Sequence, residues 1–140
     1  RKIFFYRIVM IEKLKKLYIF EGIETKFLEM IIQNWKIKTF SKGSLVFREW
    51  EKAENSFILI SWVVSVIRAK KEINTIFEWD IFWEIGLVLS EPRTASIKAE
   101  TDIEVLEITK NSINKIIKEY PNGEFIKVTI LNRIIQNHNK

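Results

Sequence analysis

Apolar and polar positions along this chain change their period twice. From Leu14 to Ile32 the spacing is helical. Leu14, Leu17 and Tyr18 recur on one face, then Phe27, Leu28, Ile31 and Ile32, with Gly22 between them as a helix-ending or turn residue. Two short helices are expected before residue 35. From residue 36 to 108 the helical period gives way to short runs rich in Ile, Val and Phe. KIKTF (36–40) and SLVF (44–47), separated by the turn signal SKG, read as a strand pair. SFILI (56–60), VVSVIR (63–68) and EINTIF (72–77) are further strands, and ASIKAE (95–100) and IEVLEI (103–108) flank a tight turn at Thr101-Asp102. The helical period returns at Thr109, a cap for a helix carrying Ile113, Ile116, Ile117 and Tyr120. Pro121 interrupts that helix, because proline can open a first turn but not continue an old one. A last helix places Phe125, Val128, Leu131 and Ile135 on one face, and Ile126, Ile130 and Ile134 widen the stripe. A face that broad calls for cover by the strand-rich zone, by another subunit, or by both.

Strands this short and this often broken point to an antiparallel barrel, not a parallel α/β sheet. The expected fold is mainly β: an antiparallel β-roll or jelly roll (double-stranded β-helix) with flanking α-helices at both ends. The chain of 140 residues is long enough to bury one real core. Residues 14–140 form that domain, and residues 1–13 are a flank, either a linker or non-native sequence, with Met10 as an alternative start.

Composition removes several classes of chemistry. There is no cysteine, so disulfides, thiolate metal sites and cysteine nucleophiles are excluded. The single histidine, His138, stands near the end, which argues against imidazole catalysis and histidine-clustered metal sites. No metal, no cofactor and no enzymatic activity are expected. The net charge of +5 would suggest nucleic acid were it evenly spread. Residues 1–16 carry +5 and residues 110–140 carry +4, whereas residues 17–109 carry −4. The excess is therefore on the flanks, and no direct DNA binding is expected. No apolar run reaches the length of a membrane span. RKIFFYRIV lacks a signal peptide's apolar core and cleavage site, so the expected location is cytoplasmic.

One segment inside the strand-rich zone carries chemistry. FWEIGLV (82–88) reads as one or two helical turns, and a first helical turn offers unpaired N–H groups and partial positive charge to a phosphate. Gly86 would let an anion approach the backbone closely. Glu84 repels a phosphate, so it makes sense as an acceptor for a neutral hydroxyl, such as that of a ribose. Arg93 then neutralises the phosphate, its planar fork donating two hydrogen bonds at once. Thr94 and Ser96 add short donors, and Pro92 stiffens the approach. Taken singly, a glutamate and an arginine nine residues apart are usually solvated or paired with each other; their order and spacing give them weight.

FWEIGL, the spacer VLSE and PRTAS resemble the phosphate-binding cassette of the cyclic nucleotide-binding domain family, F-G-E-[IL]-[AG]-L followed by P-R-[TAS]-A-[ST]. LKKLYIFEGIE (14–24), FSKGSLVFRE (40–49) and TDIEVLEITKNSI (101–113) resemble the family's opening helix, first strand pair, and last strand with its helix. The resemblance extends from about Leu14 to Ile135. It implies a regulatory, signal-transducing domain that binds cAMP or cGMP. The implied ligand-binding residues are Trp83, Glu84, Ile85, Gly86, Arg93, Thr94 and Ala95. Glu84 would accept from the ribose 2′-hydroxyl and Arg93 would pair with the cyclic phosphate. Backbone N–H groups near Gly86 and Thr94 would complete the cradle. Thr94 implies no choice of base. The last helix would close over the base as a lid, or serve as a homodimer surface. An output domain would be absent, upstream or on another chain.

The departure from the pattern is Trp83, where the family has glycine. Trp50, Trp62 and Trp79 also fall on turn positions where similar sequences have glycine. Tryptophan gains nothing at a turn that needs positive φ. One explanation is that these are UGA codons, read here as tryptophan but as glycine in the source's own genetic code. The abundance of Ile, Lys, Asn and Phe suits an AT-rich gene. The other is that the tryptophans are genuine and tolerated by repacking, and Trp83 then fills the phosphate site. That second case leads to the alternative function, a β-roll interaction module that binds no nucleotide. An enzyme of the cupin type is a distant third, since this barrel zone holds no histidine for a metal.

Overall fold

A computed structural model describes residues 2–52, 55–89 and 91–139. The chain divides into a β unit, residues 36–108, and a helical unit made of residues 1–35 and 109–140.

The β unit consists of two four-stranded antiparallel sheets. Its strands are β1 (Lys36–Phe40), β2 (Leu45–Phe47), β3 (Asn55–Ser61), β4 (Val64–Arg68), β5 (Lys71–Ile76), β6 (Ile81–Phe82), β7 (Ser96–Ala99) and β8 (Ile103–Thr109). One sheet has the order β1-β8-β3-β6, the other β2-β7-β4-β5. Alternation does the sorting. Along β7, Ile97 and Ala99 are buried between half-exposed Ser96 and Lys98, as a strand with one covered face requires. Phe47, Phe57, Leu59, Val64, Phe82, Ile97, Ile103 and Val105 form one core cluster. Each buried side chain of this kind contributes about 1.5–3 kcal/mol. The β4–β5 hairpin turns on Ala69 (φ 51°) and Lys70 (φ 66°), the two successive positive φ angles that match a tight hairpin to strand twist.

The expected jelly-roll class is the one observed, but the first strand pair is not. KIKTF and LVF lie in different sheets: β1 pairs with β8 and β2 with β7. The SKG segment is not a hairpin turn but a crossing between sheets. Gly43, at φ 86°, donates its N–H to the Ala99 carbonyl at 2.8 Å, and the Lys42 N–H donates to the Asp102 carboxylate at 2.8 Å. Those bonds turn the chain away from the strand it has just left.

The helical unit contains α1 (Lys2–Leu14), α2 (Thr25–Asn34), α3 (Lys110–Glu119) and α4 (Gly123–His138). Helix α1 begins earlier than its apolar spacing suggested and stops at Leu14. The Lys16 and Leu17 N–H groups bond to carbonyls three residues back, which tightens and ends the turn, so Leu17 and Tyr18 lie beyond the helix. Thr109 caps α3 as expected, in a reciprocal box with Ser112. Along α4 the buried side is Ile126, Ile130 and Ile134, while Phe125 and Val128 of the other stripe are exposed. Phe27 meets the Tyr120 ring edge-on at 5.4 Å, and the Tyr120 hydroxyl donates to Glu24.

Candidate functional site

The residues singled out by the sequence fall on two neighbouring segments of the β unit. The first leaves β6 at Phe82. Trp83 adopts a left-handed conformation (φ 59°, ψ 36°), and a short 3-10 turn follows over Glu84–Leu87. The segment expected as one or two helical turns is thus one tight turn. The Gly86 N–H donates to the Trp83 carbonyl at 3.0 Å, so that donor already serves the turn. Ile85 is buried and points into the core, and Glu84 is half-buried. The second segment carries Arg93. Its N–H donates to the Glu51 carbonyl and its carbonyl accepts from the Trp50 N–H, both at 2.7 Å, while Lys52 and Pro92 form a bridge beside them. Three backbone links thus fix the base of the arginine. Ala95 is buried, and exposed Thr94 offers its carbonyl to Arg68 Nε at 3.0 Å. Ile85 and Ala95 can therefore reach a ligand through their backbone only.

Arg93 is the unusual group. The residue is 3% exposed, and its guanidinium lies over the Phe47 ring with Cζ 3.9 Å from the ring centre. Phe57 and Trp83 flank it with ring centres at 5.7 and 5.6 Å. A cation on aromatic faces is attracted by their quadrupoles, and more so when it is dry. One Nη donates to the Asn55 carbonyl at 3.2 Å and the other to the Asn55 side-chain oxygen. Nε has no partner among the described residues, and neither has the buried Nε1 of Trp83. Among the described residues no carboxylate forms a salt bridge with Arg93. Burial lowers the guanidinium to about 10 from its usual 12.5, and the charge of Glu51 partly offsets that. At neutral pH this is still a buried, incompletely satisfied cation, a costly arrangement that an anion would relieve.

Asn55 joins the two segments, and sequence reading missed it. It accepts from Arg93, its carbonyl lies 2.9 Å from where a Cβ on Gly86 would stand, and its amide donates to Glu107 at 2.9 Å. Lys38 holds the same Glu107 oxygen at 2.9 Å. A lone asparagine opening a strand gives no local signal of such a role. Gly86 is needed here because a side chain would strike that carbonyl. The indole of Trp83 is the other near neighbour, with Cδ1 3.1 Å from the same point. The ring thus lies close over Gly86, and it packs edge-on to Phe47 at 6.0 Å.

Comparison with known proteins identifies the family. The sequence profile described as "Cyclic nucleotide-binding domain" matches residues 37–120. The chain is similar to a cGMP-dependent protein kinase of Toxoplasma gondii, 28% identical over 106 residues that make up 75% of this chain and 11% of the kinase. It is also similar to the cAMP-dependent protein kinase type II regulatory subunit of Drosophila melanogaster, 22% identical over 77% of this chain and 29% of the subunit. The chain thus spans a small part of the curated relatives it matches. Among solved structures, the N-terminal domain of a transcriptional regulator from Streptomyces coelicolor superposes with a TM-score of 0.81 at 15% identity, covering 91% of this chain and 92% of that one.

Proposed function

Because the chain belongs to the cyclic nucleotide-binding domain family, we propose that its β unit is a regulatory sensor that binds cAMP or cGMP at the Glu84–Gly86–Arg93 site. The observation that carries this reading is Arg93: a guanidinium 3% exposed, with one N–H unpartnered and no ion pair among the described residues. A cyclic phosphate supplies the missing negative charge, and a charge-assisted pair of this kind is worth more than a neutral hydrogen bond. Glu84 takes the ribose 2′-hydroxyl, where a carboxylate is an acceptor without a charge conflict. Backbone groups around Gly86 and Thr94 line the phosphate. The chain in this reading transmits occupancy and catalyses nothing, with α4 as lid or as contact face for a second copy. Isothermal titration with cAMP, cGMP and a cyclic dinucleotide tests it. Saturable binding of a cyclic mononucleotide supports the sensor, and heat-silent titrations of Trp83→Gly with all three overturn it.

A second reading has its own observation. The Trp83 indole stands over Gly86 and beside the Arg93 guanidinium, in the volume a phosphate would take. If that ring stays in place, the domain is an interaction module with the family's fold and no ligand. Silent titrations with the tryptophan chain and with Trp83→Gly alike would select this reading.

A further inference from the structure

The backbone assigns an identity to four positions that their side chains do not fit. Trp50, Trp62, Trp79 and Trp83 have φ of 75°, 72°, 65° and 59°, all in the left-handed region. They are four of the seven non-glycine residues there among the described residues, and four of the five tryptophans in the chain. A few per cent of non-glycine residues adopt positive φ, and for a bulky one it is a true outlier. Four such placements out of five tryptophans have a chance probability on the order of a few in a million.

In each case the fold uses the backbone. The Trp50 N–H donates to the Arg93 carbonyl, the Trp62 N–H to the Glu78 carboxylate and the Trp79 N–H to the Leu59 carbonyl, while the Trp83 carbonyl accepts from Gly86. Two of the rings add little: Trp50 is 73% exposed and Trp62 59% exposed. Trp35 behaves as a tryptophan should. Its backbone is extended (φ −92°), it is 6% exposed, and it packs on Phe20 at 6.1 Å. The chain is also short of the residue these turns call for. It has four glycines in 140 residues, where about 7% is usual.

We infer that positions 50, 62, 79 and 83 are glycine in the protein as its own cell makes it. UGA is a codon that different genetic codes assign to stop, to tryptophan or to glycine, whereas UGG specifies tryptophan. The inference is that these four codons are UGA and are decoded as glycine by the source's ribosomes, while the codon for Trp35 is UGG. Position 83 then carries no indole over Gly86 or beside Arg93. The inference rests on backbone geometry and stands whether or not the site binds a nucleotide.

The gene and the native protein test it together. The expected gene has UGA at the four positions and UGG at Trp35. Peptide mass spectrometry on the protein from its source organism should then find each of the four peptides lighter by the difference between tryptophan and glycine, with the Trp35 peptide unshifted. UGG at the four positions overturns the inference, and so do native peptides with tryptophan masses. Neither readout involves ligand, so a failed nucleotide titration beside glycine masses would reject the proposed function and leave this inference in place.

Discussion

Replacing Trp50, Trp62 and Trp79 together by glycine should stabilise the protein. A left-handed conformation costs an L-residue roughly 1–2 kcal/mol, and glycine gives back part of that relief through its more flexible unfolded chain. The rings of Trp50 and Trp62 are largely in solvent, so little burial is lost with them. A net gain of about 1 kcal/mol per site is the reasonable figure, and sites without shared partners add. The triple variant should therefore gain about 3 kcal/mol, a sizeable part of the 5–15 kcal/mol that separates most folded domains from their unfolded chains. With a urea dependence of about 2 kcal/mol per molar, the unfolding midpoint rises by roughly 1–2 M. Trp35→Gly is the matched control of opposite sign. That ring is buried on Phe20 at negative φ, and removing it should cost on the order of 3–5 kcal/mol. A triple variant that unfolds at the same or lower urea concentration would show that the three indoles pack usefully, and the reasoning from backbone strain would fail.

Other outcomes follow from the same geometry. Trp83→Gly alone should raise cyclic-nucleotide affinity measured by calorimetry, because the indole Cδ1 lies 3.1 Å from where a Cβ on Gly86 would stand; equal or weaker binding would show that the ring is compatible with the ligand. Glu24 accepts a hydrogen bond from the Tyr120 hydroxyl and raises that phenol to about 12. The fold therefore holds a proton that the unfolded chain, near 10, releases. This contribution is complete below pH 10 and lost between about pH 10 and 12. Tyr120→Phe should lack that loss, so urea midpoints of the two proteins should converge across the window; parallel curves would refute the link. Phe125→Asp with Val128→Asp on the exposed face of α4 should alter sedimentation mass or ligand affinity, and a variant unchanged in both would count against the lid and the dimer surface alike.

Much of this was legible in the chain because it is written locally. The β-rich zone, the Thr109 cap and the turn character of the four tryptophans each depend on a few adjacent residues, and each is found in the structure. What local pattern does not carry is pairing. Lys36 and Glu107 are register partners from opposite ends of the β unit, and nothing in KIKTF says that β8 rather than β2 will lie beside it. Strand β6 is two residues long, too short for alternation to register. The stripe of α4 was wide enough to hide either face, and packing selected Ile126, Ile130 and Ile134. Arg93 could be named as a candidate from its motif, but its cage of Phe47 and Asn55 arises from strands distant in sequence.

The central claim is that Arg93 is a cation awaiting a cyclic phosphate. Titrating cAMP and cGMP into the chain and into its Arg93→Ala counterpart, both carrying glycine at position 83, tests it most directly. The account predicts saturable binding by the arginine protein. Binding should be roughly ten- to a hundredfold weaker in the alanine variant, the equivalent of a charge-assisted hydrogen bond of about 1.5–3 kcal/mol. Glu84→Gln should lose less, since a neutral acceptor remains for the ribose hydroxyl. Equal affinity with and without the Arg93 guanidinium, in variants with unchanged circular dichroism, would contradict the account.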